Sequence, residues 1–186
     1  ARLASAGVPI DVITISGNGE PTLPPQTPDL VERVLAARDR YFPTARTWVL
    51  TNGARIHVDG VAQALNRLDE RAVKLDGVGP WFTEVDKPLF GFRWDALLEG
   101  LRKLRDYHLQ VMVVRGRGEN ITPAALAEWV DWVRRHALRP KSVQLYVGSG
   151  VRCGVMNRPR PRTRHGSHKI VGFPIFHVSF TYPESP

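Results

Sequence analysis

Apolar residues follow two alternating rhythms along the first 150 positions. Short runs rich in β-branched residues (Val12 to Ser16, Thr47 to Thr51, Ala72 to Asp76, Leu109 to Val114 and Ser142 to Val147) have the length and composition of buried strands. Between them, apolar positions recur at three- and four-residue spacing, as in Leu30, Val31, Val34 and Leu35, or Leu97, Leu98, Leu101 and Leu104. That spacing predicts helices after the Pro-rich turn Pro21 to Pro28, over Val58 to Leu68, over Trp94 to Tyr107 and over Pro123 to Ala137. Thr27 or Asp29 is the expected cap of the first helix. Thr122 is that of the last, with Pro123 at its first position. Gly17-Asn18-Gly19 and Asn52-Gly53 end the first two strands, and a Gly/Pro-rich loop runs from the third to about Arg93.

Five strands alternating with four helices predict parallel βαβ units joined by right-handed crossovers. A doubly wound sheet and a piece of a barrel both satisfy that order. In either, ligands gather where strands end and the following loops begin. Polar residues at those ends are therefore the functional candidates.

From Gly148 the pattern stops, and until Ile170 to Tyr182 neither period is present. The division predicted is an α/β unit over 1–147 and a basic Pro/Gly/Arg-rich tail over 148–186. Three readings of the tail stay open: a disordered linker ending in one edge strand, an arm contacting nucleic acid, or a segment that is not the native end of the domain, as a reading-frame error would produce. Charge follows the same division. Of the net +8, residues 151–186 hold 6 basic and 1 acidic side chains, which leaves 20 basic and 17 acidic for the rest. The body is thus only mildly basic, and a polyanion partner is weakly supported.

No stretch approaches the roughly 18–20 apolar residues of a membrane helix. The N-terminus has no signal layout and no initiator Met, which suggests a chain processed or cut from a longer one. A single cysteine, Cys153, excludes a disulfide framework or a thiolate cage and fits a reducing, cytoplasmic setting.

The strongest chemical feature is Ser16-Gly17-Asn18-Gly19-Glu20-Pro21-Thr22, which directly follows a strand. Its glycines let backbone approach a ligand, and Glu20 can accept from an ammonium group; a plain βα turn uses the same residues. It is neither a P-loop nor a dinucleotide fingerprint. Lys74 and Asp76 share one side of a strand and could be an ion pair or a site. Asn52 could serve a ligand or start a turn with Gly53. Arg115 could bind a carboxylate or cap a helix. Trp129 and Trp132 read as packing, and His57, His108 and His136 as surface residues. His165 and His168, three apart, make a weak metal site.

The Gly-Asn-Gly-Glu-Pro-Thr run after a strand resembles the "GGEP" motif of radical S-adenosylmethionine (SAM) proteins, and Val49-Leu50-Thr51-Asn52-Gly53, Val73-Lys74-Leu75-Asp76, Val113-Val114-Arg115-Gly116 and Val143-Gln144-Leu145-Tyr146 resemble the strands that follow it, over roughly residues 8–147. The wyosine-synthesis-like branch is the nearest flavour. The resemblance implies a partial (β/α)6 TIM-like barrel of parallel strands lacking the first strand. It implies that Gly17, Asn18, Gly19, Glu20, Pro21, Thr51, Asn52, Lys74, Asp76 and Arg115 face SAM. In the intact family a [4Fe–4S] cluster on three cysteines (CxxxCxxC) reductively cleaves SAM to a 5′-deoxyadenosyl radical. The chain departs from the family there. It lacks that loop, so it is expected to bind no cluster and SAM weakly if at all, to be inactive as it stands, and to self-associate through the edge left by the absent strand. The substrate is not readable. The alternative is a cluster-free α/β domain holding another small ligand, its basic tail contacting RNA.

Overall fold

Each β-branched run forms a strand because its side chains fill a pleated surface better than a helical one. In the computed structural model, which describes residues 2–16, 19–88, 91–115, 119–147 and 175–178 (Val147 and the last segment as backbone only), the strands are β1 (Val12–Ile15), β2 (Arg46–Thr51), β3 (Glu70–Lys74), β4 (Tyr107–Val113), β5 (Ser142–Val147) and β6 (Ile175–Val178). The helices are α1 (Arg2–Ser5), α2 (Thr27–Tyr41), α3 (Val61–Leu65), α4 (Trp94–Lys103) and α5 (Pro123–Arg135), with a π-helical turn at Phe82–Asp86.

The sheet order is β1-β2-β3-β4-β5-β6, with β1 to β5 parallel and β6 antiparallel to β5. Strict sequence order has no reversal point, which separates this sheet from a doubly wound one. It is an α/β fold with a five-strand parallel sheet of barrel-like order. β1 and β6 are its margins, so these strands do not close a ring.

The expected elements are present with shifted bounds. The third strand starts at Glu70 and ends at Lys74, two residues earlier than its apolar run, because Glu70 and Arg71 are buried by their partners. The helix expected over Val58 to Leu68 keeps only Val61–Leu65, entered from Gly60 in the left-handed region (φ +82°). The helix expected to reach Tyr107 stops at Lys103, and Tyr107 opens β4. Thr122 caps α5 by accepting from the Ala125 amide at 3.2 Å. Gln26, not Thr27 or Asp29, is the N-cap of α2, and it makes no side-chain cap bond. The Thr27 hydroxyl instead reaches the Pro21 and Pro24 carbonyls at 2.9 and 2.6 Å.

Alternate strand residues face opposite sides of the sheet. One side, carrying Val49, Val73, Leu109, Val111 and Val143, joins Val31, Leu35, Leu65, Leu97, Leu101, Trp129 and Trp132 in the core. Both tryptophans are packing residues, as expected, and Trp129 Nε1 donates to the Leu75 carbonyl at 2.9 Å. On the other side the register aligns Trp48 with Glu70, Leu50 with Ala72, His108 with Ser142, and Gln110 with both Lys74 and Gln144. This is a largely polar face. Among the described residues no helix is long and apolar enough to cross a membrane.

Candidate ligand site at the strand ends

The loop leaving β1 is tied to the end of β2 by one carboxylate. Glu20 accepts from the Thr22 amide (2.9 Å), the Thr22 hydroxyl (2.6 Å), the Thr51 hydroxyl and the Asn52 amide (2.7 Å). Three of these donors converge on Oε1 and one, the Asn52 amide, on Oε2. The carboxylate read from sequence as an ammonium acceptor is thus engaged by the protein itself, and its role here is to hold two strand ends together.

The turn after β2 is closed locally as well. Gly53 N donates to Thr51 Oγ1 and Ala54 N to Asn52 Oδ1, each at 2.9 Å. Gly53 sits at φ +75°, and a Cβ there would lie 2.7 Å from Leu97 Cδ1 and 3.2 Å from Val73 Cγ1. Both conformation and crowding demand glycine. Gly19 differs, for a Cβ there would meet no described atom within 4 Å. Gly17 and Asn18 lie outside the described residues, as do Cys153, His165 and His168.

Beyond β3 lies a cluster of two acids and one base. Lys74 Nζ is 2.7 Å from Asp76 Oδ2 and 3.9 Å from Asp86 Oδ1. Asp76 is wholly buried, and its Oδ1 accepts from the Met112 amide at 2.8 Å; Oδ2 has the lysine beside it but no aligned hydrogen bond. Asn120, between β4 and α5, braces it by donating to the Asp76 and Met112 carbonyls at 2.6 and 2.8 Å. Asp86 Oδ2 accepts from Gly77 N at 3.1 Å. Burial raises the pKa of Asp76 against the opposing help of Lys74 and the Met112 amide. Burial, and then the charge of Asp76, push Asp86 up to about 7 although Lys74 and two backbone amides oppose them.

Asn52, Gly53, Lys74 and Asp86 line a cavity of about 480 Å³, with Arg55, His57 and Arg93 adding polar groups and Phe82, Phe92 and Leu97 apolar walls. Its size and mixed lining suit a small organic ligand. His57 Nδ1 is buried without a hydrogen-bond partner among the described residues. Of the residues singled out by sequence, Glu20, Thr51, Asn52, Lys74 and Asp76 meet in this region. Pro21 contributes a carbonyl to Thr27, and Arg115 stands exposed beyond β4, outside this lining. Asp86 and His57 were not singled out for a site. Asp86 lies in a Gly/Pro-rich loop with no periodicity to set it apart.

A second charged cluster occupies the opposite end of the same strands. Glu70, 5% exposed, is bonded by Lys141 at 2.9 and 3.2 Å, by Arg46, and by His108 Nε2 at 2.7 Å. His108 Nδ1 meets Ser142 Oγ at 2.7 Å, and its ring stacks on Trp48. His108 is therefore buried, a correction to its reading as a surface residue; strand periodicity places it on the polar side of the sheet. Burial alone would raise the Glu70 pKa. Hydrogen bonds from His108 and Lys141 and the lysine charge prevail and hold it at about 2.

No protein-family model matches the chain. It is 30% identical over 168 residues to UPF0026 protein slr1464 of Synechocystis, covering 83% of this chain and 61% of that protein. It is 31% identical over 114 residues to a UPF0026 protein of Helicobacter pylori, covering 58% of this chain and 35% of that one. The chain therefore spans about three fifths of the first relative and about a third of the second. Among solved structures, Streptococcus suis SuiB bound to precursor peptide SuiA superposes with a TM-score of 0.49 at 15% identity, covering 73% of this chain and 28% of that chain. By sequence, the chain is similar to the UPF0026 proteins.

Proposed function

We propose that residues 1–147 are the SAM-holding part of a radical SAM enzyme. The supporting observation is the Glu20 bridge: the acid of the GNGEPT stretch grips Thr51 and Asn52, so two segments that the resemblance assigns to SAM meet beside Lys74. In this reading Lys74 faces the ligand carboxylate, Asn52 and Gly53 line the side of its amino-acid end, which the resemblance assigns to the Gly17 to Pro21 motif, and Phe82, Phe92 and Leu97 cover its apolar parts. Glu20 and Thr51 act by positioning.

The residues present do not fit the cluster. A [4Fe–4S] centre of this family needs three thiolates, and the chain has one cysteine. When bound in an intact member, the cluster supplies the electron that cleaves SAM; nothing in these 186 residues takes that part.

Calorimetric titration with SAM and S-adenosylhomocysteine tests the reading. Binding that weakens in Asn52→Ala and Lys74→Ala is expected, and absence of binding by either compound overturns it. Anaerobic treatment with iron and sulfide is expected to leave the chain colourless, and a brown product would contradict the thiolate count. The single cysteine also favours the second reading, a cluster-free domain for another small ligand. Unchanged SAM affinity in Lys74→Ala, with strong binding of a ligand lacking an amino-acid end, would select it.

A further inference from the structure

Among the described residues, the large cavity is lined by one carboxylate, Asp86. Glu20 does not line it; its Oε1 accepts from Thr22 and Thr51 and its Oε2 from the Asn52 amide. Asp95 is committed to Arg93. Asp76 is sealed beneath Lys74 and the Met112 amide. Asp86 lines the cavity with its side chain 14% exposed, holds the Gly77 amide, and shares Lys74 only at 3.9 Å.

One lysine therefore serves a buried acid and a partly buried one, and the lysine itself is 47% exposed. With both acids ionised the cluster carries one uncompensated negative charge. A low-dielectric site does not tolerate that charge; it takes up a proton or a cation. The other charged or titratable groups facing the cavity are Arg55, which donates to the Leu23 carbonyl at 3.2 Å, His57 and the Arg93–Asp95 pair. None of them cancels Asp86. His57 Nδ1, buried without a hydrogen-bond partner among the described residues, belongs to the same lining.

We propose that Asp86 is the residue that meets the organic cation, ammonium or sulfonium, of the ligand held in the large cavity. This rests on the SAM reading above for the identity of the ligand, but not for the charge deficit. Burial and then the charge of Asp76 raise the Asp86 pKa to about 7, so a proton and a ligand cation are alternative ways to balance this acid. Cation and proton compete, so binding weakens as pH falls through that value.

The experiment is a ¹³C-carboxyl titration of Asp86 by NMR between about pH 5.5 and 8.5, alone and with SAM, S-adenosylhomocysteine or methylthioadenosine. The expected result is a fall in the Asp86 midpoint with SAM and no change with methylthioadenosine, which carries neither cation. A fall with S-adenosylhomocysteine as well assigns the ammonium, and a fall with SAM alone assigns the sulfonium. SAM affinity is expected to drop roughly tenfold between about pH 8 and 6, and Asp86→Asn is expected to lose that dependence. Repeating the titration in His57→Gln separates any contribution of the imidazole. SAM binding that leaves the midpoint unmoved overturns the proposal. If no adenosyl compound binds, the SAM reading falls alone. Agmatine in excess then decides this one: a lowered Asp86 midpoint keeps it, and an unmoved midpoint ends it.

Discussion

The two ends of β3 hold largely enclosed carboxylates in opposite electrostatic conditions. Glu70, at the start, is surrounded by Lys141, Arg46 and His108 and held near pKa 2. Asp86, packed past the other end, shares Lys74 with Asp76 and is pushed to about 7. The first cluster is complete and links β2, β3, β4 and β5 near their starts. The second lacks a cation and borders a cavity. A saturated cluster maintains the fold, and an unsaturated one at the strand exits is where a ligand completes the charge.

The largest effect expected from breaking this contrast is at Glu70. Glu70→Ala leaves three basic groups facing a void and should cost about 3 kcal/mol by urea denaturation, a figure reduced from the fully buried case because Lys141 and Arg46 are half-exposed. Asp86→Asn should cost under about 1 kcal/mol at pH 7, because it removes an uncompensated acid. Equal losses would erase the distinction between the two ends.

Next in size is Gly53→Ala, expected to cost about 2 kcal/mol from its positive φ and the Leu97 contact. Gly19→Ala should stay within about 0.5 kcal/mol in melting experiments while weakening ligand binding. A strongly destabilised Gly19→Ala would mark that bend as purely structural.

The pH dependences should have opposite signs. Glu70 is depressed from 4.5, so its contribution is present above about pH 4.5 and lost as pH falls toward 2. Asp86 is raised from 3.8, so its contribution is present below about pH 3.8 and lost as pH rises through 7. Stability profiles of Asp86→Asn and the parent should therefore diverge between about pH 4 and 7, and coincident curves would count against the deficit. Thr51→Val removes one donor from Glu20 and should cost about 1 kcal/mol by urea denaturation.

Much of the fold was legible in the chain. β-branched runs and helical spacing marked five strands and four helices, and Thr122 with Pro123 announced α5 correctly. Errors cluster where long-range partners override local pattern. Glu70 and Arg71 enter β3 because Lys141, His108 and backbone carbonyls satisfy them, and no local signal encodes those contacts. Lys74 and Asp76 could be paired from strand periodicity alone. Asp86 could not, because a π-helical turn inside a Gly/Pro loop brings it back to Lys74.

The sequence by itself determined which segments become strands and helices, since side-chain shape and apolar spacing act over a few residues. It also determined that one thiol cannot hold a cluster that needs three. The tertiary structure alone decided that the strands lie in sequential order, that Glu20 bridges Thr22 to Thr51 and Asn52, and that two acids converge on one lysine. Charge compensation is a sum over neighbours in space, and chain order does not carry that sum.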